Sequence, residues 1–418
     1  MYCSILTFNL LSISQLPVLL YCKYFCAGIF SCVFYLSLFL LSDMKIGITI
    51  KFNQNSSFQS NGMLQNLYFL ANSFNEIVGW DCFFLYKSDH EPDLLLPPKR
   101  CISIDSYLNH RLFNFDVLIL AGFTGRIFSH SIFENTKLIV LHCGARLMDD
   151  IFRSLHGAGD NEYQSFSATT TRCDEVWTLP HHSRNLPYLS TLYNTKNVKV
   201  MPYIWDSIFI DSLLKRNKFP DRDDFVNKLL VSPFSNINIY EPNNTICKTS
   251  LLPLSIAVEH RRHGSRKLQK CNIFCADKMA NSSYFVQLCH CLGVQSAQDY
   301  FSFHPRIEFI NSLKVFGIHS IIVSHQIMVE LNYLYFEALY LGLPLLHNSS
   351  SLSTYGYYYP DSDTQEAARQ IDSILTNHST DFRNRLSDYQ IFLDSFNPSN
   401  PVNIAQYEES IFRLLNSP

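Results

Sequence analysis

From Met44 onward the chain alternates short apolar runs with stretches of helical spacing, which restricts it to parallel sheets with helices on both faces. Lys45 to Phe52 reads as a first strand, and Met63 to Ile77 follows with Leu64, Leu67, Tyr68, Ala71 and Phe74 at helical intervals. Strand-like runs recur at Cys82–Tyr86, Val117–Ala121, Leu138–His142, Val176–Leu179 and Val198–Tyr203, with a late helix over Ser183–Tyr193. This set predicts a first doubly wound domain over residues 44–205. Residues 206–235 are polar and mixed in charge, with Lys215-Arg216-Asn217-Lys218 and Asp221-Arg222-Asp223-Asp224, and read as a connector. Strands then resume at Asn236–Tyr240, Asn272–Ala276, Arg306–Phe309, Ser320–Ser324 and Leu343–Leu346. Helices at Thr249–Arg262, Ser282–Gly293 and Tyr333–Leu341 separate them, giving a second domain over residues 236–400. Residues 401–418 read as a closing helix, Val402 to Leu415, that crosses back onto the first domain. The predicted class is α/β, with two Rossmann-like domains facing across a cleft and ligands at the carboxyl ends of the strands.

Composition excludes more than it suggests. The net charge of -3 with 17% charged residues gives no basic surface for nucleic acid, and no low-complexity tail is present. Of 13 cysteines, the nearest approach to a cluster is Cys271, Cys275, Cys289 and Cys291, which lacks the paired knuckles of a structural zinc site. Buried reduced thiols of a cytosolic protein are the preferred reading, with no metal and no cofactor expected.

Residues 1–43 are an apolar extension. Tyr24 to Ser42 runs for 19 residues without a charge, long enough to cross a bilayer, so membrane association stays open. A leader translated from an upstream start is preferred, because Met44 opens a natural first strand, only Asp43 separates it from the run, and no basic cluster flanks it. The expected location is cytoplasmic, with the inner face of the membrane as the alternative.

Chemistry concentrates at predicted strand ends. Tyr333 to Leu341 is a short helix with one acid, Glu337; Gly342 caps it, Pro344 blocks its continuation, and a buried strand follows. Asn61 and Gly62 close the loop after the first strand, and Gln65 lies in the first turn of the next helix, whose free N–H groups suit phosphate or sugar hydroxyls; a plain capped turn is the alternative. His142 ends its strand, placed as a base or a neutral hydrogen-bonding group, against the alternative of a structural histidine. Glu241 and Asn243 follow the strand Asn236–Tyr240, and Lys248 stands just ahead of Thr249, a candidate helix cap, adding charge to a helix N-terminus. Asn348 follows the last strand. Asp221-Arg222-Asp223 and Asp361-Ser362-Asp363 match a metal-binding acid pattern but lie away from strand ends, and read as solvated acids. No phosphate-binding glycine loop, nucleophile elbow or zinc-protease helix appears.

The Glu337-Ala338…Gly342-Leu343-Pro344 element resembles that of GT-B glycosyltransferases, where the acid holds the ribose of a nucleotide-sugar donor. A closer resemblance, over Met44 to about Leu415, is to a bacterial glycosyltransferase-like family catalogued only as a domain of unknown function. It is carried by Ser60-Asn61-Gly62…Gln65-Asn66, Cys173-Asp174-Glu175-Val176-Trp177, Pro202-Tyr203-Ile204-Trp205, Glu241-Pro242-Asn243 and His347-Asn348-Ser349…Tyr355-Gly356-Tyr357-Tyr358-Tyr359-Pro360. The resemblance implies metal-independent transfer from a nucleotide-sugar donor to a glycan or lipid-linked acceptor, as in surface polysaccharide synthesis. It assigns catalysis to His142 and donor binding to Lys248, Glu337, Asn243, Glu241, Asn348 and Gly342. Asn61, Gly62 and Gln65 would form the acceptor or phosphate loop. Retaining members carry two acids with seven residues between them; counted back from Glu337, the first falls on Val329, with Glu330 one residue off. A non-catalytic carbohydrate- or nucleotide-binding protein, or an epimerase of the same fold, is the rival.

Overall fold

Strand β1 (Met44–Lys51) is buried from Ile46 to Ile50 and pairs in parallel with β2 (Trp80–Lys87) over its whole length. The computed structural model describes residues 44–51, 58, 61–87, 101–110, 113–124, 126–156, 173–263, 268–297 and 299–417. The apolar run Tyr24–Ser42, and residues 53–57, 59 and 60 of the loop after β1, lie outside the described residues. Five more parallel strands complete the first sheet: β3 (Cys101–Ser103), β4 (Val117–Leu120), β5 (Lys137–His142), β6 (Glu175–Thr178) and β7 (Val198–Val200). Their order is β3-β2-β1-β4-β5-β6-β7, so the winding reverses between β1 and β4.

The second sheet repeats the plan with β8 (Asn236–Ile239), β9 (Lys270–Ile273), β10 (Phe301–Phe303), β11 (Ser320–Val323), β12 (Leu345–His347) and β13 (Tyr357–Tyr358). Its order is β10-β9-β8-β11-β12-β13, with the reversal between β8 and β11. All its pairings are parallel. The chain therefore has the α/β class expected, with two parallel sheets, each carrying one switch point where a ligand crevice can open.

The strand expected at Arg306–Phe309 is not one. Phe301–Phe303 takes its place at the sheet edge, and Phe309 opens the helix Phe309–Phe316, which buries Phe309, Ile310 and Leu313. That i, i+1, i+4 set is a helical stripe, which a short apolar run cannot be told from in advance. Residues 206–235 are more ordered than a polar connector. They form helices Ile208–Arg216 and Arg222–Leu229, which bury Phe209, Ile210, Leu213, Leu214, Phe225, Val226 and Leu229. Asp221 caps the second through Asp224 N at 3.0 Å, and Asp363 caps the helix Thr364–Asn384 through Gln365 N and Glu366 N. Both acidic motifs are thus anchored by helix caps, worth about 1 kcal/mol each.

The helix Pro401–Leu415 packs on the first sheet's helix Gly62–Asn75. Tyr407 donates to Pro202 O at 2.9 Å and packs its ring against Phe74 and Trp177. Ser410 donates to Glu175 Oε1 at 3.0 Å. The main apolar core runs from Ile46 through Tyr333 to Leu414, and a second cluster around Tyr107, Phe115 and Leu118 lies within the first half. Among the described residues no helix is long and apolar enough to cross a membrane.

Candidate functional site

The switch point of the second sheet is polar and buried. Glu241, two residues past β8 and 2% exposed, accepts a short hydrogen bond from Ser324, just past β11, and a long one of 3.5 Å from Gln326 Nε2. The Ser324 hydroxyl also meets Tyr335 Oη at 2.8 Å. Burial pushes the Glu241 carboxyl up to about 7, against the opposing pull of the Ser324 bond and the Lys248 charge. Lys248 is itself lowered by burial and held up by Glu241. A buried acid and a lysine thus balance each other at the crevice, a pattern common at functional sites.

Asn243 holds the loop that carries this pair. Its φ is +53°, a conformation that asparagine tolerates better than most residues. Its amide donates to Glu241 O, Ser250 Oγ and Cys275 O, while its oxygen accepts from Ser250 N at 2.7 Å. The helix Leu251–Arg262 has Ser250, not Thr249, as its N-cap; Ser250 N is taken by Asn243 and Pro253 has no N–H, so of the first turn the Leu251 and Leu252 amides, close to Lys248 in the chain, are those without a side-chain cap. Asn348 braces the facing loop. Its oxygen accepts from Gln326 N and its nitrogen donates to Gln326 O, both at 2.9 Å. Lys248 and Gln326 are joined through an antiparallel bridge.

The first sheet contributes histidines. His142 ends β5 and its Nε2 lies 2.9 Å from Tyr193 Oη. Burial first, then the Arg146 charge, lowers it to about 3, so it is a neutral imidazole at neutral pH and a weak base. Arg146 is paired with Asp150 at 2.8 Å, which also accepts from Tyr188. Past β6, His181 and His182 lie side by side, and burial together with Lys248 lowers them to about 2 and about 4. Lys248 therefore acts electrostatically on His181 and His182 of the first half and on Glu241 of the second. The adjacent His181-His182 directly behind a strand is a signal the sequence carries, whereas no spacing marks Ser324 or Gln326.

Two helix N-termini meet nearby. Asn61 caps Gly62–Asn75 by accepting from Met63 N at 3.0 Å, and Asn332 caps Tyr333–Tyr340 by accepting from Leu334 N at 3.4 Å. The Tyr333 ring lies against Gly62, and its hydroxyl accepts from Asn66 Nδ2 at 3.0 Å and donates to Ile204 O at 2.8 Å. Glu337, half-buried one turn along, accepts from Gln65. Burial first, then the Glu308 charge, raises it to about 7.

One candidate residue sits apart from this crevice. Gly342 has φ +69° and lies before β12, at the opposite end of the strand, where its carbonyl accepts from His378 Nε2 at 2.8 Å. Glu330 accepts from Ser351 N at 3.1 Å and so caps the 3₁₀ turn Ser350–Leu352. Among the described residues no group of three or more His, Cys, Asp or Glu side chains is arranged to hold a metal.

Two facing Rossmann-like sheets with a polar crevice at the second switch point define the GT-B class, and solved structures agree at the level of fold. The N-terminal domain of Candida albicans trehalose-6-phosphate phosphatase is similar at TM-score 0.57 and 10% identity, covering 90% of this chain and 97% of that one. The pneumococcal O-GlcNAc transferase GtfA, in complex with UDP and GlcNAc, is similar at TM-score 0.53 and 11% identity, covering 90% and 100%. Anabaena HepE, in complex with UDP-glucose, is similar at TM-score 0.51 and 12% identity, covering 88% and 100%. No curated protein matches the sequence. Residues 46–411 match the family described as Protein of unknown function (DUF2827), and the chain belongs to that family.

Proposed function

We propose that this protein transfers a sugar from a nucleotide-sugar donor to a glycan or lipid-linked acceptor without a metal ion. The observation that carries the reading is the buried Glu241 with the half-buried Lys248 acting on it at the second switch point, beside the N-terminus of Leu251–Arg262 that no side chain caps. A leaving nucleoside diphosphate needs positive charge fixed in advance, and a lysine at a helix N-terminus supplies it in a low-dielectric setting. Glu337 would take the ribose hydroxyls, Asn243 and Asn348 would keep the donor loops in place, and Gln65 would orient Glu337. His142, neutral, would hydrogen-bond the reacting sugar rather than remove a proton. Positioning of donor against acceptor would supply much of the remaining acceleration. Similar folds holding UDP with GlcNAc, and UDP-glucose, support a nucleotide-sugar as the ligand.

A second reading, a binding protein of the same fold without catalysis, is favoured by Val329 at the first-acid position and by Glu330 acting as a cap. Thermal-shift titration with UDP-, GDP- and ADP-sugars tests the donor site. A stabilisation that disappears in Glu337→Ala and Lys248→Met supports it, and no shift with any donor would sink it. Release of free nucleotide from a bound donor in the presence of acceptor glycans separates the transferase from the binding protein.

A further inference from the structure

His181 and His182 follow β6 with ring centroids 3.9 Å apart and planes at 53°. All four of their ring nitrogens are shielded from solvent and, among the described residues, lack a hydrogen-bond partner. Thr178 Oγ1, on the last residue of β6, is in the same state, as is Gln326 Oε1 from the second sheet. The main chain of Cys143 lies near His182 without reaching full hydrogen-bond geometry. Buried polar groups are normally paired, because an orphan loses its water with no compensating bond. These four residues hold most of the unpaired buried side-chain atoms among the described residues, and a polar ligand would satisfy them.

The chemistry of the orphans selects the ligand. Both imidazoles are neutral, since burial and Lys248 oppose a further positive charge. A neutral imidazole offers one N–H donor and one bare nitrogen acceptor, and a threonine hydroxyl offers both roles. The Gln326 oxygen only accepts. An anion supplies acceptors alone and would leave the bare nitrogens and Gln326 Oε1 unmet. A metal ion would face the Lys248 charge. Hydroxyl groups both donate and accept, and a sugar ring presents several of them side by side.

We propose that Thr178, His181 and His182 form a subsite that reads the hydroxyls of a neutral sugar ring, with Gln326 closing it from the second sheet. The assignment rests on the transferase reading of the same crevice and names the part of the ligand these residues contact. That ring is either the donor's sugar or the acceptor's.

Calorimetric titration of the full chain tests it. The probes are UDP, GDP and ADP, their glucose, galactose and N-acetylglucosamine derivatives, methyl glycosides added to the nucleotide complex, inorganic phosphate, and zinc chloride. In His182→Phe the affinity for a nucleotide-sugar, or for a methyl glycoside, should fall about tenfold or more, while the bare nucleotide keeps its affinity within about twofold. Loss on the nucleotide-sugar assigns the ring to the donor, and loss on the glycoside assigns it to the acceptor. His181→Gln, which keeps a donor and an acceptor, should lose less. An unchanged sugar contribution, or an equal loss for bare nucleotide, overturns the subsite and leaves the transferase reading standing. Wild-type protein that binds no nucleotide and no nucleotide-sugar overturns both. Phosphate or zinc binding that vanishes in His182→Phe reassigns the cluster to an anion or a metal. If His182→Phe does not fold, Thr178→Val and His181→Phe carry the same comparison.

Discussion

A Cβ atom placed on Gly62 would lie 2.8 Å from Cδ2 of Tyr333, so the N-termini of two helices, one from each half, pack directly against each other. The tyrosine has no room to yield, because its hydroxyl is fixed by Asn66 and the Ile204 carbonyl, and its ring lies 6.0 Å from Phe69 and 5.2 Å from Tyr203. Glycine at 62 is therefore required by the neighbour and not by its own backbone angle. Gly62→Ala should destabilise the fold by about 1–3 kcal/mol through overpacking. Combined with Tyr333→Leu, the alanine should cost much less than it does alone. Urea denaturation of the two single variants and the double variant measures that coupling, and strictly additive losses would contradict the contact.

Glu337 gives the second prediction. Its carboxyl is raised from 4.5 to about 7, by burial first and by Glu308 second. A folded-state value above the unfolded one means that the native protein holds an extra proton between the two. The stability tied to that proton is complete below about pH 4.5 and is lost as pH rises through about 7. Glu337→Gln keeps the neutral form at every pH. Its stability relative to wild type should therefore improve from about pH 5 to about pH 8 in denaturation series, with Glu241 present in both proteins as an internal control. Parallel curves would place Glu337 in water and not beneath Gln65.

Lys248 is tested through its partner. The Lys248 charge opposes the upward push that burial gives Glu241. In Lys248→Met the Glu241 carboxyl should stay protonated to higher pH, so the chain avoids an unpaired buried charge and remains folded near neutrality. Nucleotide-dependent stabilisation should nevertheless be lost. A variant that is folded by circular dichroism and still gains the full thermal shift from the donor would remove Lys248 from the site.

The architecture was legible because it depends on periodicity. Val117–Leu120 and Ser320–Val323 are buried on both faces and read as uninterrupted apolar runs, as parallel central strands do. Edge strands were not legible. Cys101–Ser103 and Tyr357–Tyr358 are too short for a pattern, and only their pairing with β2 and β12 makes them strands. The candidate site was half legible for a similar reason. Glu241, Lys248 and His142 stand at strand ends, where position alone singles them out. The roles of Asn243 and Asn348 depend on hydrogen bonds to Cys275 and Gln326, which no spacing along the chain reveals. Gly342 shows the converse: its turn chemistry was readable, but only the direction of β12 places it at the far end from the crevice.

Asn243 predicts an inverted substitution order. At an ordinary exposed position alanine is more stabilising than glycine, because glycine leaves the unfolded chain more freedom. At φ +53° alanine is strained and glycine is not. Both replacements lose the bonds to Glu241, Ser250 and Cys275. Asn243→Ala should therefore be less stable than Asn243→Gly by about 1 kcal/mol, measured by chemical denaturation at constant slope. Both should weaken donor binding by loosening the loop that presents Lys248. The opposite order would mean that the left-handed turn is absent in solution.

The last prediction concerns the helix Pro401–Leu415. It comes at the end of the chain yet completes the first sheet, where Tyr407 packs between Phe74 and Trp177 and Phe412 packs on Trp80. Its polar side chains are equally committed. Ser410 joins Lys199 in holding Glu175, whose other bonds go to the buried Trp177 indole and the Lys199 ammonium. A chain ending at residue 400 would bare three large rings and leave Glu175, 3% exposed in the intact fold, without the Ser410 hydroxyl. Losing the burial of Tyr407, Ile411 and Leu414 alone amounts to several kcal/mol, at about 2 kcal/mol per side chain, which is comparable to the whole stability of many domains. Truncation should make the protein insoluble or bind a hydrophobic dye. The milder Tyr407→Ala should lower the unfolding midpoint of the full chain without altering the Glu241–Lys248 crevice in the second half. Differential scanning calorimetry on Tyr407→Ala, with a donor titration alongside, checks both parts; an unchanged melting temperature would show that the helix does not pack on the first sheet in solution.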